Sequence, residues 1–481
     1  MEPIGVCVGE ARVSSITFVS DKMPKIGEYV VLEYDGQRVL GMVENIIRGN
    51  LSLPDNIPDP SIVNKILDLE GAKGYIKGKI KIIGDVNTLR IPRVPPSPGT
   101  KVYKADKETL EKIFGNEGMK IGRLITQEDV AVYLNPNKMV SRHLAILSIT
   151  GAGKSNTVAI ITDELLKHKG TILIFDMHSE YVDLHFKNGP KNVIPTKINP
   201  MKLSLREIAT LANIGREAYV QFRYLRKAWD AVVEKVRKLE IPLESKEFFG
   251  AIEKELERMA KTNELKDEKT IYRVLGKIED FVEKFKDIID FRFNDFVEQI
   301  KPGHVNIIDL GSVDEETADV IVSHCLKKIL EQRKDFRRKG TGLKIPIFIV
   351  LEEAHILAPR DRNTLSNYWI ARIAREGRKF GIGLCLVSQR PKALSSDALS
   401  QANNMIILKL VEPNDQRYVQ QSSELLSDEL LAHLPSLNTG EAIVIGPMVR
   451  IPALVKIDLF EGKIVGKDPD VIKEWENYAK E

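Results

Sequence analysis

Apolar and polar residues alternate along the N-terminal part of the chain in a pattern that predicts short β-strands. The strand-forming runs are 16–19, 28–34, 37–44 and 74–84. Asp35-Gly36 separates the second run from the third, and such a pair between two strands favours a tight hairpin. We therefore expect a small antiparallel β-barrel, which carries no catalytic constellation and serves in assembly or docking. The segment from Pro92 to Pro98 is expected to be a stiff linker that closes this domain.

Beyond about residue 120, strands alternate with helices, which favours a largely parallel sheet. Apolar strand candidates occupy 130–134, 144–147, 170–176, 304–310, 345–351, 384–387 and 403–410. Residues 200–300 instead place apolar positions three and four apart among many Glu and Lys, which predicts charged amphipathic helices on the rim of the sheet. A last β pair is expected at 440–446 and 453–457, followed by a charged helical tail.

These patterns predict a barrel followed by an α/β core that a helical insertion divides. The expected segments are a barrel at 1–100, a core at 101–199, a helical insertion at 200–300, the rest of the core at 301–450, and a C-terminal β and helical extension at 451–481.

Composition narrows the class of protein without identifying a partner. The chain has 481 residues, which is too long for one ordinary core, and its 71 basic and 68 acidic residues nearly cancel. Three widely separated cysteines fit neither a disulfide framework nor a zinc site, so we expect a cytoplasmic protein. No apolar run approaches the about 18 residues of a membrane span, and no signal peptide is recognisable.

The strongest chemical signal is a glycine-rich turn between the apolar run 144–147 and a helical pattern. This order is the context of a phosphate-binding P-loop, in which backbone N–H groups hold phosphate oxygens at a helix N-terminus. Lys154 would reach the β- and γ-phosphates, and the Ser155 hydroxyl would ligate Mg²⁺. Ser148 stands where the motif usually has its first glycine. The residues expected to surround the phosphates are Thr150, Gly151, Ala152, Gly153, Lys154, Ser155 and Asn156.

A second signal is the apolar strand 345–351, which ends in Glu352 and Glu353. Two acids at that place predict Walker B chemistry: Glu352 would face the metal, and Glu353 would polarise the water that attacks the γ-phosphate. Asp is commoner than Glu at the first position.

The strand 170–176 also ends in an acid, and ligands of open α/β sheets bind beyond the carboxyl ends of strands. Asp176, with His178, Glu180 and Tyr181, is therefore expected near the phosphates. A second metal site is an alternative, although the spacing favours a polar network.

Gln389 follows another strand, at 384–387, and is expected to sense the γ-phosphate. Arg375, Arg378 and Arg390 lie close by in the sequence. Ring-forming P-loop ATPases need an arginine from a neighbouring subunit. We favour Arg378 for that role, with Arg375 and Arg390 as alternatives. The interpretation without a catalytic role is that these arginines form salt bridges at the surface.

Two further basic groups have structural and functional interpretations. Tyr224, Arg226, Lys227 and Trp229 could contact nucleic acid, but such residues on an amphipathic helix usually pack. The basic run 333–339 ends a predicted helix, where cations complement the helix dipole, and a functional patch is equally well supported.

Taken together, the motifs resemble the HerA family of hexameric DNA-translocating ATPases, relatives of the FtsK motors. The resemblance spans most of the chain, and it rests on the predicted barrel and on the segments 150–157, 176–181, 351–355, 375–381 and 388–391. It implies a RecA-like P-loop ATPase core with a HAS-barrel-like N-terminal domain. Ser179 departs from the family pattern, which has Gly at that position, and Glu352 departs from its Asp.

The resemblance also implies the reaction and the partners. ATP with Mg²⁺ would be bound by Lys154 and Ser155, Glu353 would activate water, and Arg378 would act in trans. Arg142 resembles a second basic residue that contacts nucleotide across the subunit interface. The resemblance implies a ring-forming homo-oligomer, a hexamer in that family, that acts as a double-stranded DNA translocase or helicase. It would process DNA ends for recombinational repair together with a NurA-type nuclease.

Two alternatives stay open at this point. One is a motor with the same core that moves protein or conjugative DNA. The other is a non-motor scaffold in which nucleotide only locks assembly and the barrel recruits partners.

Overall fold

The structure is a computed structural model that describes residues 2–53, 57, 59–70, 74–115, 117–262, 267–423, 425–462 and 471–478. Contacts divide the chain into two compact units. The first unit comprises 1–164, 389–392 and 403–460, and the second comprises 165–388, 393–402 and 461–481.

The first unit begins with a closed β-barrel. Its strands are β1 (Gly5–Val8), β2 (Ser15–Ser20), β3 (Tyr29–Tyr34), β4 (Gln37–Asn50), β5 (Gly74–Asp85) and β6 (Lys101–Lys104), with helix α1 (Pro60–Glu70) between β4 and β5. The strand order is β1-β2-β5-β4-β3-β6. Asp35 and Gly36 both have positive φ, 48° and 70°, as the predicted tight hairpin requires. Inward-facing residues such as Phe18, Val30 and Ile80 fill the interior.

One strand of the barrel lies beyond the proline-rich segment. β6 pairs with both β1 and β3, so it closes the barrel. The segment from Pro92 to Pro98 is therefore a connection inside the barrel, and the prediction that it closes the domain is wrong. Four residues with a single buried valine, Val102, give too weak a local signal to be recognised as a strand.

The rest of the first unit is a mixed sheet with helices. Its elements are α2 (Lys107–Phe114), β7 (Met119–Leu124), β8 (Ala131–Leu134), α3 (Pro136–Ser141), β9 (Leu144–Leu147), α4 (Lys154–Lys167), β15 (Asn404–Ile407), α13 (Pro413–Gln421), α14 (Asp428–His433), β16 (Glu441–Ile445) and β17 (Ala453–Ile457). β9 and β15 pair in parallel, while β15-β16-β17-β7-β8 continue antiparallel. β9 is buried on both faces, as its continuous apolar run predicts.

The second unit contains a parallel sheet in the order β11-β12-β10-β13-β14. Its elements are β10 (Ile172–Asp176), β11 (Lys191–Ile194), α5 (Leu205–Leu211), α6 (Tyr219–Arg237), α7 (Ser245–Lys261), α8 (Glu268–Phe285), β12 (Val305–Asp309), α9 (Glu315–Lys339), β13 (Ile347–Leu351), α10 (Ala354–Leu357), α11 (Leu365–Glu376), β14 (Ile382–Ser388), α12 (Ser396–Leu399) and α15 (Val471–Tyr478). Because the strands are parallel, Asp176, Asp309, Glu352 and Ser388 come to the same edge of this sheet.

Helices α5 to α8 form the predicted insertion between β11 and β12. Their apolar faces enclose a core that also includes Val320 of α9, and in it the rings of Trp229, Phe248 and Phe249 meet edge to face. Tyr224 and Trp229 are buried there, while Arg226 and Lys227 are exposed. The packing interpretation of the aromatic residues is therefore confirmed.

A buried charged triad joins the insertion to α9. His324 Nε2 lies 3.0 Å from Asp295 Oδ2, and its Nδ1 lies 3.5 Å from Glu207 Oε1. Burial disfavours the charged imidazole, but the bonds to Asp295 and Glu207 outweigh it and raise the pKa of His324 to about 9. The triad contributes stability below the usual histidine pKa, and that contribution is lost as the pH rises through about 9.

The basic run at the end of α9 is in part structural. Arg333 is buried, and it donates hydrogen bonds to the carbonyl oxygens of Phe380 and Leu343. Gly340 ends the helix in the left-handed conformation. Arg333 therefore does not belong to a surface patch.

Among the described residues, no helix is long and apolar enough to cross a membrane.

Candidate active site

The glycine-rich turn in the first unit has the backbone of a phosphate-binding loop. Gly151 and Gly153 have φ of +76° and +109°, which residues with a Cβ rarely adopt. α4 begins at Lys154, so the loop ends at a helix N-terminus, where the dipole favours anions.

Several hydrogen bonds fix the path of this loop. The Ile149 N–H donates to the Lys409 carbonyl at 2.9 Å, and the Gly440 N–H donates to the Ala152 carbonyl at 3.0 Å. Ser148 is fully buried, which explains why a small residue suffices at the strand end. These bonds tie the loop to the chain that follows β15 and to the chain that precedes β16.

The side chain of Asn156 has a task other than phosphate binding. Its amide donates to the Asp458 carbonyl and accepts from the Phe460 N–H, at 2.9 and 2.8 Å. It thus ties the chain after β17 to α4. A contact of Asn156 with nucleotide would have to use its backbone N–H.

Gln389 lies against the phosphate-binding loop within the first unit. The Thr150 hydroxyl donates to Gln389 Oε1. This contact lies at the predicted phosphate site, and the sensing role of Gln389 stays a prediction. Arg142, the C-cap of α3, and Arg390 are both exposed.

In the second unit, the carboxylate of Asp176 is fully buried and organises the turn that follows β10. It accepts N–H bonds from His178, Glu180 and Tyr181, at 3.4, 3.0 and 2.8 Å. Burial raises its pKa, and these bonds oppose the shift. The polar-network interpretation of this turn fits that geometry, and among the described residues no group of three potential ligands is arranged for a metal ion.

Ser179 explains why glycine suits this turn. Its φ is +56°, in the left-handed region that glycine adopts without steric cost. The Ser179 hydroxyl donates to Asp309 Oδ1 at 2.7 Å. That hydrogen bond offsets part of the conformational cost of having a side chain there.

Glu352 is buried beside other acids. Burial raises its pKa well above the usual range, and the neighbouring Glu180 and Asp176 add to the shift. The Tyr181 hydroxyl donates to Oε1 at 3.2 Å, whereas Oε2 accepts no hydrogen bond from any residue that the structure describes. A divalent cation would satisfy that oxygen, and Mg²⁺ needs only one or two protein carboxylates where substrate phosphates supply other ligands.

Glu353 has an uncommon backbone conformation for a residue with a side chain. Its φ is +43°, and such strain costs about 1–3 kcal/mol. The side chain is buried between two imidazoles: His355 Nδ1 lies 3.2 Å from Oε2, and His178 Nε2 lies 3.9 Å from Oε1. Strained residues of this kind cluster at functional sites.

The candidate arginines differ in their surroundings. Arg378 lies in a short 3₁₀ helix, Gly377–Phe380, and both it and Arg375 are exposed. By contrast, the neighbouring Arg372 pairs with Glu376 at 2.6 Å. No ion pair of Arg375 or Arg378 occurs in the described part of the chain, so the salt-bridged interpretation does not apply to them.

Sequence reasoning did not assign a role to His355. It lies in the segment 351–355 that carries the family resemblance, and its position two residues after a pair of acids is a signal for a side chain that touches one of them. The contact of Tyr181 with Glu352 was also missed, because the two residues are 171 positions apart.

Comparisons with known proteins agree with this geometry. The family described as the central domain of helicase HerA matches residues 119–329, and the HAS barrel domain matches residues 4–91. The DNA double-strand break repair helicase HerA of Saccharolobus solfataricus is 43% identical, covering 98% of this chain and 95% of its own.

Solved structures share the fold at low identity. VirB4 of Thermoanaerobacter pseudethanolicus matches with a TM-score of 0.53 and 15% identity, covering 73% of this chain and 98% of its own. The plasmid coupling protein TrwB in complex with ADP and Mg²⁺ gives a TM-score of 0.52 and 13% identity, covering 76% of this chain and 94% of its own. The predicted fold class, a P-loop ATPase core with an N-terminal barrel and a helical insertion, is confirmed. With a relative this similar over nearly its whole length, the chain belongs to the HerA helicase family.

Proposed function

We propose that this protein is an ATP-driven DNA helicase of double-strand break repair, which translocates on double-stranded DNA. The observation that carries the proposal is the phosphate-binding backbone at Gly151 and Gly153, in a chain that is 43% identical to a DNA double-strand break repair helicase. A translocating motor has to bind DNA of any sequence, and contacts with the phosphate backbone provide such binding.

The proposed chemistry assigns one role to each motif. The backbone from Thr150 to Asn156 and the Lys154 ammonium hold the ATP phosphates. Ser155 and Glu352 would hold Mg²⁺, which would supply positive charge to neutralise the phosphates. Glu353 accepts a hydrogen bond from the attacking water and orients it. Gln389 senses the γ-phosphate, and Asp176 shapes the neighbouring turn.

The ring is part of the same proposal. A homo-oligomer, which we infer to be a hexamer, would let Arg378 of one subunit neutralise the phosphoryl group held by the next, with Arg142 contacting the same nucleotide. The exposed position of both side chains supports this role. A NurA-type nuclease is the proposed partner in processing DNA ends.

The proposed function is tested by ATP turnover with and without duplex DNA at low and high salt. We expect duplex DNA to stimulate turnover, and the stimulation to fall steeply as salt rises, because phosphate contacts release counterions. Lys154→Ala serves as the inactive control. Turnover indifferent to DNA would favour a nucleotide-locked scaffold or a motor for another cargo.

The trans role of Arg378 predicts a recovery experiment. Arg378→Ala alone should lower turnover about 1,000-fold, the effect of losing an arginine finger. Mixing this variant with Glu353→Gln subunits should restore part of the activity, because some interfaces then combine an intact arginine with an intact glutamate. Lys379→Ala, an exposed neighbour, is the control that should stay active. Failure to recover at any mixing ratio would exclude action in trans.

A further inference from the structure

We infer that the exposed face of α6, in the helical insertion, binds the phosphate backbone of double-stranded DNA. The inference rests on the proposed function, since it names one surface through which the protein contacts DNA. Four cationic side chains, which we call the basic face, carry it: Arg206 of α5 and Arg223, Arg226 and Lys227 of α6. None of the four belongs to the nucleotide site.

The spacing of the α6 cations puts them on the solvent side of that helix. The buried stripe of α6 consists of Tyr224, Leu225, Ala228, Trp229 and Val232. Arg223 and Arg226 are three positions apart and Lys227 is four beyond Arg223, so these side chains share one face, opposite to the buried stripe. All three are exposed. Tyr219, one turn before Arg223, is 69% exposed, and its hydroxyl is a donor of the kind that contacts DNA phosphates.

Arg206 extends the basic face beyond α6. Its guanidinium carbon lies 3.7 Å from the centre of the Phe222 ring, and Phe222 is one turn from both Tyr219 and Arg226. Stacking on a ring uses the flat side of the guanidinium, while the N–H donors that match a phosphate lie along its edge. Arg206 is itself exposed, so Phe222 holds a cation beside those of α6 where an anion from solvent can reach it.

No acid neutralises the basic face among the residues that the structure describes. None of its four cations forms an ion pair there, whereas Lys238 and Lys261 of the same insertion pair with Glu234 and Glu257. The first turns of α5, α7 and α8 each contain a glutamate, but the first turn of α6 contains no acid. The positive charge of this face is therefore left for an anion from outside the chain.

Acids on either side set the limits of the basic face. Asp230 lies one turn beyond Arg226 on the same face, and the cleft beside the chain that leads into α6 is lined by Asp314 and Glu315. Between these limits the face spans little more than two turns of helix, about 12 Å. Each DNA strand carries one phosphate per about 3.4 Å of axis, so this length faces about three phosphates of one strand. The cations therefore suit a backbone contact that is independent of sequence.

Removal of two of these charges tests the inference. Binding of the full chain to two duplexes of unrelated sequence is measured over a range of salt concentrations, with a non-hydrolysable ATP analogue present. We expect the double variant Arg223→Gln, Arg226→Gln to bind both duplexes more weakly, by a similar factor. The slope of log K against log salt should become shallower by at least about 1.8, because each lost phosphate contact contributes about 0.9.

Two further double variants separate the effect of charge from other effects. Arg223→Lys, Arg226→Lys keeps both positive charges and should keep the salt slope. Lys238→Gln, Lys261→Gln removes the same net charge from exposed lysines that already have acidic partners, and it should bind as the unsubstituted protein does. Thermal unfolding followed by circular dichroism shows that each variant is folded.

The outcomes distinguish this inference from the proposed function. An unchanged slope in Arg223→Gln, Arg226→Gln would overturn the inference and leave the proposed function in place. An equal loss in the paired-lysine control would overturn it as well, because any removal of positive charge would then act alike. If the unsubstituted protein bound neither duplex, the proposed function would fail, and the basic face with it.

Discussion

Lys154→Ala is expected to reduce ATP turnover at least about 1,000-fold and to weaken ATP binding, which removes DNA-dependent activity altogether. The ammonium of Lys154 is the one side-chain charge of the phosphate-binding loop, at the first residue of α4. Backbone N–H groups can still bind phosphate without it, but nothing on the loop would then neutralise the charge that develops on the β- and γ-phosphates. Steady-state ATP hydrolysis and titration with a fluorescent ATP analogue measure the two effects.

The matched control is Lys167→Ala, at an exposed lysine in the last turn of the same helix. It removes the same charge from the same helix at the opposite end, so it should leave turnover unchanged. Full turnover in Lys154→Ala would mean that the glycine-rich turn is not the phosphate site.

Glu353→Gln is expected to separate binding from hydrolysis. Glutamine keeps the size of the side chain and its contact with His355, but an amide oxygen is a far weaker proton acceptor than a carboxylate. Loss of such a group typically costs about 100- to 10,000-fold in rate, so kcat should fall by that amount while ATP still binds. Rapid-quench measurement of hydrolysis together with equilibrium binding of ATP checks both halves of the expectation.

An exposed glutamate on α9 provides the comparison: Glu316→Gln removes one charge from the same unit and should not change kcat. If Glu353→Gln hydrolysed ATP at the normal rate, another residue would have to orient the water. Loss of ATP binding in this variant would instead point to a structural role for Glu353.

The sequence predicted those parts of the molecule that short stretches of consecutive residues determine. The apolar run before Ser148, the two glycines and the helix after Lys154 form one local signal, and so do β13 and the acids that follow it. Strands β3 and β4 were found because Asp35-Gly36 specifies the turn between them. In each case the physical cause lies within a few residues of the effect.

Other features depend on contacts between distant residues, and these escaped prediction. The antiparallel extension through β7 is defined by pairing with β17, which no local pattern specifies. The positive φ of Ser179 and of Glu353 is a backbone conformation that no local residue pattern specifies. The role of Asp176 also escaped prediction. Its carboxylate accepts hydrogen bonds from backbone N–H groups, which a sequence motif does not display.

The closure of the barrel by β6 limits where recombination can cut this domain out of the gene. The HAS barrel domain matches residues 4–91, but β6, which seals the gap between β1 and β3, lies at Lys101–Lys104. A gene fragment that stopped at residue 91 would leave two strand edges open, each with unpaired amides ready to recruit foreign strands. Recombination that exchanges this domain between relatives therefore has to transfer the proline-rich segment and β6 together with the other five strands.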